Sequence, residues 1–468
     1  MDGRLQKHEP MPLRTLCDRA AVRKKLRAGG LDGEATIRQA DVFVHLATTL
    51  RQAGVDESRD AYAFFVPGRI EVLGKHTDYA GGSSLVCTVQ RGFCLIATAR
   101  SDRRLYITDA ATGDEVSFEL SETLAPPPGS WSTYPMTVAQ RVARNFPGAL
   151  RGGHLAFSSD LPQAAGMSSS SAFLVAVFLA LSAFNNLPEH AAYRQNIDGL
   201  EALAQYLGTV ENGQTFGTLA GDRGVGTFGG SQDHTAILCS EPGRLCQFAY
   251  GPVRRERSVH LPQGYLFAVG SSGVAAQKTG AAREQYNRAS LLASSAAAVW
   301  RAATGCTDPH LGAAVANALF TSERMREALR QHTEARFSAE ALVHRFEHFL
   351  AENTRILPAA VEALEAGDLE QFGRLVDRSQ QGAAQLLKNQ IDETICLARE
   401  ARRLGAVAAS AFGAGFGGSV WALVPAAQAE MMTEAWSARY GAAFHEQAER
   451  ASFFLDQPGP AAFQLSAL

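Results

Sequence analysis

The stretch LPQAAGMSSSSAFLVAVFLAL, residues 161–181, joins a glycine-containing turn to a long apolar run through four consecutive serines. The run is apolar on every face, which predicts a buried helix over about residues 171–184. Serine is favoured at helix N-termini, where free backbone N–H groups and the positive end of the helix dipole attract anions. One serine is enough for a cap, so four indicate a phosphate cradle, although an ordinary serine-capped core helix has the same pattern.

The sequence on either side of this stretch predicts two domains, because 468 residues exceed the size of one ordinary core. Up to about residue 250, β-rich runs mix with helical stretches near 171–184 and 197–210, which indicates an α+β domain with a sizeable sheet. From about 280 to 404 the pattern is helical, and short strands then return at AVAASAF, SVWALV and AAFHEQ.

A basic segment, PVRRERS, lies near residue 255 between the two halves, and we interpret it as a solvated loop. It divides the chain into a domain of residues 1–255 and a domain of residues 256–468.

Composition excludes several classes of partner. The chain has 44 Lys plus Arg against 47 Asp plus Glu, a net charge of −3, so no global field attracts nucleic acid or an anionic membrane. The seven cysteines are scattered, without a Cys-x-x-Cys pair, and we expect reduced thiols. No N-terminal apolar stretch marks a secretory signal, and the longest apolar run is shorter than the ~20 residues that a bilayer requires. We therefore expect a cytoplasmic protein.

Three further loops carry polar or glycine-rich motifs. PGRIEVLGKHTDYAGG, residues 67–82, presents charged side chains and a histidine directly after a strand-like run, where polar ligands often bind. GVGTFGGSQDHTAIL, residues 224–238, places Asp233 before a strand-like TAIL, although an ordinary turn aspartate fits this pattern too.

The last loop, FGAGFGGS at residues 412–419, formally contains Gly-x-Gly-x-x-Gly. A strand-like SVWALV follows instead of a helix, so the dinucleotide interpretation fails. The glycines are expected to let this loop approach another backbone closely, with the serine-rich loop of residues 161–171 as the candidate partner. The serine-rich loop itself lacks the lysine of a P-loop, so Mg²⁺ is the simplest source of charge neutralisation.

Together these four loops resemble the motif set of the GHMP kinases, in particular its galactokinase branch. Residues 67–82 resemble the signature that runs Pro-Gly-Arg and then Gly-Glu-His-Thr-Asp-Tyr. PQAAGMSSSSA resembles the superfamily's phosphate loop, with Met167 in the place of a leucine, and GGSQDH matches the region of the galactokinase Met-Asp-Gln. FGAGFGGS resembles the C-terminal Thr-Gly-Gly-Gly-Phe-Gly-Gly motif, and all four occur in family order.

The resemblance implies an α+β, two-domain GHMP kinase fold. Its N-terminal domain would be similar to ribosomal protein S5 domain 2 and its C-terminal domain ferredoxin-like, with ATP and substrate in the cleft between them. The implied activity is transfer of the γ-phosphoryl group of ATP to a monosaccharide hydroxyl, in the galactokinase branch the anomeric C1 hydroxyl. The implied partners are sugar, ATP and Mg²⁺, in a monomer or weak homodimer.

The resemblance also implies roles for individual residues. Asp233 would accept or orient the proton of the attacking hydroxyl, and Arg69 would keep that carboxylate ionised and stabilise charge near the transferred group. Substrate would be bound by Lys75, His76, Asp78 and Gly230. The ATP phosphates would be bound by Gly166, Ser168, Ser169, Ser170, Ser171, Gly415 and Gly417, and Mg²⁺ by Ser170 and Glu211.

Two departures from the family pattern leave alternatives open. Lys75 stands where the family has a glutamate near C6 of the sugar, so a uronate such as galacturonate is an alternative substrate. Lys75 could instead pair with an acid such as Glu71 and contact no ligand. The separation of Glu211 from Asp233 is longer than the family pattern, so residues 212–229 include an inserted loop, either a lid or a decoration.

Two other functions use the same scaffold. A catalytically silent sugar sensor would have no need of the pair Arg69 and Asp233, so its retention favours the enzyme. Kinases of non-sugar alcohols such as homoserine or mevalonate are disfavoured, because the cluster His76-Thr77-Asp78-Tyr79 belongs to the sugar branch.

Overall fold

The computed structural model describes residues 8–148, 150–162, 165–275, 280–332 and 336–466. Residues 163 and 164 of the serine-rich loop lie outside the described residues. The strands are β1 (Met11–Pro12), β2 (Asp60–Leu73), β3 (Ser83–Ala99), β4 (Arg104–Asp109), β5 (Glu115–Glu119), β6 (Gly153–Ser159), β7 (Arg244–Ala249), β8 (Arg254–His260), β9 (Tyr265–Ser271), β10 (Ala408–Phe412), β11 (Ser419–Pro425), β12 (Ser452–Asp456) and β13 (Phe463–Gln464).

The helices are α1 (Arg19–Ala28), α2 (Gly33–Gln52), α3 (Thr133–Asn145), α4 (Ser169–Asn185), α5 (Ala191–Asn196), α6 (Leu200–Asn212), α7 (Gln232–Cys239), α8 (Gly280–Thr304), α9 (Leu311–Ala316), α10 (Ser322–Arg330), α11 (Ala339–Ala351), α12 (Leu357–Ala366), α13 (Leu369–Gly382), α14 (Asp392–Arg403), α15 (Ala429–Ala443) and α16 (His445–Ala448). Two π-helical segments follow α11 and α13, at Glu352–Ile356 and Ala383–Leu387.

The first sheet has the strand order β1-β2-β3-β6-β4-β5; β13 pairs with β2, and β7 joins β3 to β8. β2 and β3 form a long antiparallel pair, whereas β4 and β6 run parallel. β2 is buried from Ala63 to Leu73. It therefore carries the charged residues of its C-terminal half into the interior of the protein.

Helices cover both faces of this sheet. α4 lies against β2 and β3 and is buried from Ser171 to Phe184, which confirms the predicted apolar helix, although it begins at Ser169. α2 covers the opposite face, where Phe43 packs with Phe65 in one core cluster, and α1 packs against α2. The serine-rich loop is thus fixed by a helix that is itself enclosed in the core.

The second sheet has the antiparallel order β10-β11-β9-β12. α14 and α15 pack on it through Leu397 and Trp436, and α8, α10 and α11 form a separate cluster around Trp300 and Phe346. The predicted helical region and the strands at AVAASAF and SVWALV are confirmed.

Three local predictions were wrong. TAIL is part of α7, in which Thr235 N donates to Ser231 O at 2.8 Å. It was predicted as a strand because a short apolar run fits a strand as well as a buried helix. AAFHEQ is helical rather than extended, because it covers the end of α15 and the start of α16. PVRRERS contributes to β8, an edge strand whose residues Arg254 to Arg257 are exposed, and an edge strand tolerates such charges on its solvent side.

The domain boundary at residue 255 stays a prediction. β8 ends at His260 in the first sheet and β9 begins at Tyr265 in the second, while Phe463 and Gln464 return to pair with β2. Among the helices of the described ranges, none combines the length and the apolar character needed to cross a membrane.

Candidate active site

A cavity of about 700 Å³ lies where β2, the serine-rich loop and the first turn of α7 meet. Ten of the predicted site residues line it: Arg69, His76, Asp78, Gly166, Ser168, Ser169, Ser170, Glu211, Gly230 and Asp233. Loops that are far apart in sequence therefore share one cavity.

Arg69 and Asp233 form an ion pair in the cavity wall. Arg69 donates from Nε and Nη2 to Asp233 Oδ1, at 2.9 and 2.8 Å, and from Nη1 to the carbonyl of Gly166 at 2.6 Å. The Arg69 side chain is 4 % exposed and that of Asp233 is 17 % exposed. The guanidinium thus links the carboxylate to the serine-rich loop and holds both in a low-dielectric setting, where charge interactions are strong.

The serine-rich loop presents an uncapped helix start to the cavity. Ser168 is the N-cap of α4 in the left-handed region, at φ 60°, and its side chain caps no backbone N–H, contrary to the serine-cap interpretation. Its Oγ is buried and has no hydrogen-bond partner among the described residues. An orphaned hydroxyl beside uncapped N–H groups fits a phosphate group.

Ser171, rather than Ser170, contacts Glu211. Ser171 Oγ donates to Glu211 Oε2 at 2.7 Å and lies 3.4 Å from Asp233 Oδ2. Successive side chains leave a helix in different directions, so only one of two neighbouring serines faces Glu211. Ser170 lines the cavity instead, and its predicted role as a metal ligand stays a prediction.

Glu211 also lies beside His234. The Nε2 atom of His234 is 3.2 Å from Glu211 Oε2. Ser171, Glu211 and Asp233 come from α4, α6 and α7, and they bring a hydroxyl and two carboxyl groups together. These are the hard oxygen ligands that Mg²⁺ prefers.

His76 and Asp78 extend the cavity beyond the ion pair. His76 adopts φ 55°, with Nδ1 2.7 Å from Tyr79 Oη and Nε2 3.0 Å from Ala414 O. Asp78 Oδ2 accepts a hydrogen bond from the backbone of α7 at Gln232, 3.3 Å away. A Cβ atom at Gly230 would lie 2.4 Å from Asp78 Oδ2, so only glycine lets these loops meet.

Lys75 is placed differently from the expectation of a substrate contact. It is 1 % exposed and is not among the cavity-lining residues that the structure describes. Its Nζ donates to Ser410 Oγ at 2.7 Å and approaches Ser379 Oγ at 3.4 Å. Burial lowers the pKa of Lys75, and the charges of Glu352 and Glu71 oppose this shift. The placement favours an internal role over a contact with a sugar carboxylate.

The glycine-rich loop of residues 412–419 approaches the serine-rich loop, as predicted. A Cβ atom at Gly413 would lie 2.7 Å from the carbonyl of Gly166. Gly413 and Ala414 line the cavity, whereas a Cβ atom at Gly415 would meet Asn389 O at 2.3 Å. Gly415 and Gly417 are absent from the described cavity lining, and their predicted contact with the ATP phosphates stays a prediction.

Glu71 also lines the cavity, although the motif of residues 67–82 assigned it no role there. It lies on the same face of β2 as Arg69, and its Oε2 accepts from Gln232 Nε2 at 2.6 Å. Burial raises the pKa of Glu71 to about 7, and the charges of Lys75 and Arg69 act in the opposite direction. The two-residue period of β2, counted from Arg69, was the signal that could have identified it.

The other end of the cavity is aromatic. The rings that line this end include Phe93, Trp131, Phe157 and Phe173. The ring centroids of Phe157 and Phe173 are 4.4 Å apart, and those of Trp131 and Phe157 are 5.6 Å apart. These residues are scattered over four elements or loops, so no local motif marks them.

The segment of residues 212–229 is fastened to α3. Arg141, fully buried, donates to Gln214 O and lies 3.5 Å from Asp222 Oδ1. Asn145 donates to Ala220 O at 3.0 Å. These bonds fix the middle of the segment. Residues nearer its two ends line the cavity, namely Asn212, Val225, Thr227 and Gly229.

Comparisons with known proteins assign most of these elements to described families. The model of the GHMP kinases N terminal domain matches residues 133–238, the galactokinase galactose-binding signature matches residues 53–99, and the model of the GHMP kinases C terminal matches residues 360–442.

Curated relatives match over most of their length. A galactokinase of Actinobacillus pleuropneumoniae is 27 % identical over 370 residues, covering 78 % of this chain and 85 % of the relative. A galactokinase of Roseiflexus sp. (strain RS-1) is 29 % identical over 374 residues, covering 78 % and 83 %.

Solved structures share the fold. The Lactococcus lactis galactokinase complexed with galactose superimposes with a TM-score of 0.72 at 24 % identity, over 89 % of this chain and 98 % of that one. A mevalonate kinase of Methanococcus jannaschii gives a TM-score of 0.51 at 13 % identity, over 85 % and 98 %. The predicted α+β two-domain fold is thereby confirmed.

Proposed function

The chain belongs to the GHMP kinase superfamily, and from this premise we propose that it is a galactokinase-like sugar kinase that transfers the γ-phosphoryl group of ATP to a monosaccharide. The observation that carries the proposal is the position of the Arg69–Asp233 ion pair. The pair lies in one cavity with the uncapped start of α4 and with His76 and Asp78. The proposed phosphate-binding and hydroxyl-binding regions therefore meet at the half-buried carboxylate of Asp233.

Asp233 is proposed to orient the attacking hydroxyl and accept its proton. Phosphoryl transfer depends mainly on positioning and on neutralising the charge that spreads over the transferred group. Arg69 would keep Asp233 ionised, and its fixed guanidinium would stabilise the negative charge that develops on the transferred group. Because Arg69 also binds the carbonyl of Gly166, the base and the serine-rich loop keep one relative position.

ATP is proposed to lie along the cavity from α4 to the aromatic end. The N–H groups at the start of α4 and the hydroxyl of Ser168 would bind phosphate oxygens. The rings of Trp131 and Phe157 provide apolar surface on which a base stacks.

Ser171 and Glu211 are proposed to hold Mg²⁺, with Ser170 nearby as the alternative serine. The fit rests on the oxygen atoms that converge from α4, α6 and α7. When bound, the ion neutralises phosphate charge.

Metal dependence separates the two serines. Replacing Glu211 by Gln or Ser171 by Ala is expected to raise the Mg²⁺ concentration for half-maximal activity by about 10- to 100-fold, because each change removes an oxygen ligand or its partner. Ser170→Ala serves as the matched control on the next residue of the helix. A larger effect for Ser170→Ala than for Ser171→Ala would restore the original assignment.

Galactose is the proposed acceptor, and its C1 hydroxyl the proposed position. The galactose-binding signature that matches residues 53–99 and the relatives named galactokinase support this choice. No observation favours the uronate or the sensor, since Lys75 is turned away from the cavity and the catalytic pair is complete.

A substrate panel tests this function. ADP release should depend on added sugar and be fastest with galactose. Galacturonate should be a poor substrate, because the carboxyl groups of Glu71 and Asp78 line the cavity beside His76 and disfavour a second carboxylate. Binding of sugar and ATP without any turnover would instead identify a sensor, and a preference for galacturonate would restore the uronate alternative.

A further inference from the structure

Residues 74–83, here named the acceptor loop, leave the first sheet after β2 and return to it at β3. Its two ends meet in a narrow neck. Thr77 Oγ1 lies 2.8 Å from Gly74 O and 2.7 Å from Ser83 O. A Cβ atom at Gly74 would be 2.5 Å from the Cα of Ser84. Because the loop carries His76 and Asp78, the geometry of this neck sets where both side chains lie.

Two consecutive residues of the second half of the chain hold the neck. Glu352 Oε1 accepts a hydrogen bond from Gly74 N at 2.8 Å, and Asn353 Oδ1 accepts one from Ser83 N at 2.7 Å. A Cβ atom at Gly82 would lie 2.7 Å from Asn353 Oδ1, so a glycine there permits the approach. Both ends of the acceptor loop are therefore bound by one short segment.

That segment is the start of a π-helical turn. Glu352 and Asn353 are the first two residues of Glu352–Ile356, which follows α11 without a break. Consecutive side chains of a regular α-helix diverge strongly, whereas a π turn changes the direction in which they leave the helix. Such turns occur frequently at functional sites. Here the turn directs two neighbouring side chains at the two ends of one loop.

The negative charge of Glu352 is balanced by Lys75, which belongs to the acceptor loop itself. Glu352 is 1 % exposed, and Ser379 Oγ donates to its Oε1 at 2.9 Å. The same hydroxyl is 3.4 Å from Lys75 Nζ, so Ser379 bridges the two buried charges. An unpaired buried carboxylate is costly, and Lys75 offsets that cost. This arrangement accounts for the inward orientation of Lys75.

A third contact reaches the acceptor loop near its tip. Arg345 of α11 donates to His76 O, and its guanidinium lies 5.7 Å from the ring centroid of Tyr79. Arg345 is 1 % exposed. The helix that ends in the π turn therefore binds the acceptor loop at its neck and beside His76.

We propose that Glu352 and Asn353 are positioning residues for the acceptor sugar, which act by fixing the acceptor loop and thus His76 and Asp78. This inference rests on the proposed function, because it assigns His76 and Asp78 to the sugar. The phosphate-binding groups belong to α4, which these two residues do not contact through any described hydrogen bond. The sugar and not the nucleotide is therefore expected to respond to their replacement.

Replacing Asn353 by alanine tests the proposal. The change removes the acceptor for Ser83 N, and we expect the KM for galactose to rise about 10-fold, the size of effect that a small displacement of a binding group produces. The KM for ATP should stay unchanged. Asn353→Asp keeps an oxygen in place and should restore most of the affinity. Arg355→Ala is the control, since Arg355 is exposed on the same π turn.

Calorimetric titration of galactose without ATP separates this inference from the proposed function. A protein that binds galactose but never releases ADP would contradict the proposed kinase activity. The same titration would still show whether Asn353→Ala weakens the binding of galactose. Glu352→Ala provides a second variant, because it removes the acceptor for Gly74 N and should weaken galactose binding in the same direction. A lower melting temperature with unchanged galactose affinity in both variants, or an equal rise in the KM for ATP, would overturn the proposal.

Discussion

Replacing Asp233 by asparagine is expected to lower kcat by about 10²- to 10⁴-fold, the usual contribution of a positioned general base. Asparagine has nearly the same shape but accepts no proton and carries no charge for Arg69, whose Nε and Nη2 both bind Oδ1. Calorimetric titrations of ATP and galactose should show that both still bind, since the base is required for transfer and not for the overall shape of the cavity.

A matched control is available on the same cavity. Asp114→Asn makes the same chemical change at an exposed position of the cavity wall. It should leave kcat close to that of the unmodified protein. Full activity of Asp233→Asn would remove Asp233 from the mechanism and with it the proposed reaction centre.

Replacing Arg69 by lysine is expected to lower kcat/KM by about 10²- to 10³-fold, the loss typical of one preorganised charge-stabilising donor. The guanidinium uses three nitrogens, two toward Asp233 and one toward Gly166 O. A lysine has one point charge and cannot bind the carboxylate and the carbonyl in the same geometry. The loss should be measured at saturating Mg²⁺, so that metal binding does not contribute.

Arg38→Lys is the corresponding control. Arg38 Nε lies 3.0 Å from Asp160 Oδ2, and neither residue belongs to the described cavity lining. It should change kcat/KM little. If Arg69→Lys and Arg38→Lys gave equal rates, the ion pair would be a structural contact only.

The sequence predicted the parts of the site that depend on local motifs. Arg69, Asp233, His76 and Asp78 each lie within three residues of a glycine, the residue type that marks turns and loops, and the structure brings all four to one cavity. The buried helix after the serines could be predicted because its apolar character is uninterrupted over three turns. Local chemistry decided these positions.

Features that depend on distant partners could not be predicted. Lys75 turns inward because Ser379 and Ser410, more than 300 positions away, accept its hydrogen bonds. The choice of Ser171 over Ser170 depends on the rotation of α4 relative to Glu211. No periodicity marks the π turn that presents Glu352 and Asn353.

Short apolar runs produced a further error. TAIL satisfies the pattern of a strand and of a buried helix, and the preceding loop decides between them by presenting Ser231 O to Thr235 N. Asp233 consequently lies in the first turn of a helix and not at a strand end.

The central claim is that this cavity transfers phosphate from ATP to a sugar hydroxyl. The most direct measurement is the ³¹P NMR spectrum of the protein incubated with ATP, Mg²⁺ and galactose. We expect a sugar 1-phosphate resonance that grows in step with ADP and is absent with Asp233→Asn. ADP that accumulates with inorganic phosphate alone, at a rate independent of galactose, would contradict the account.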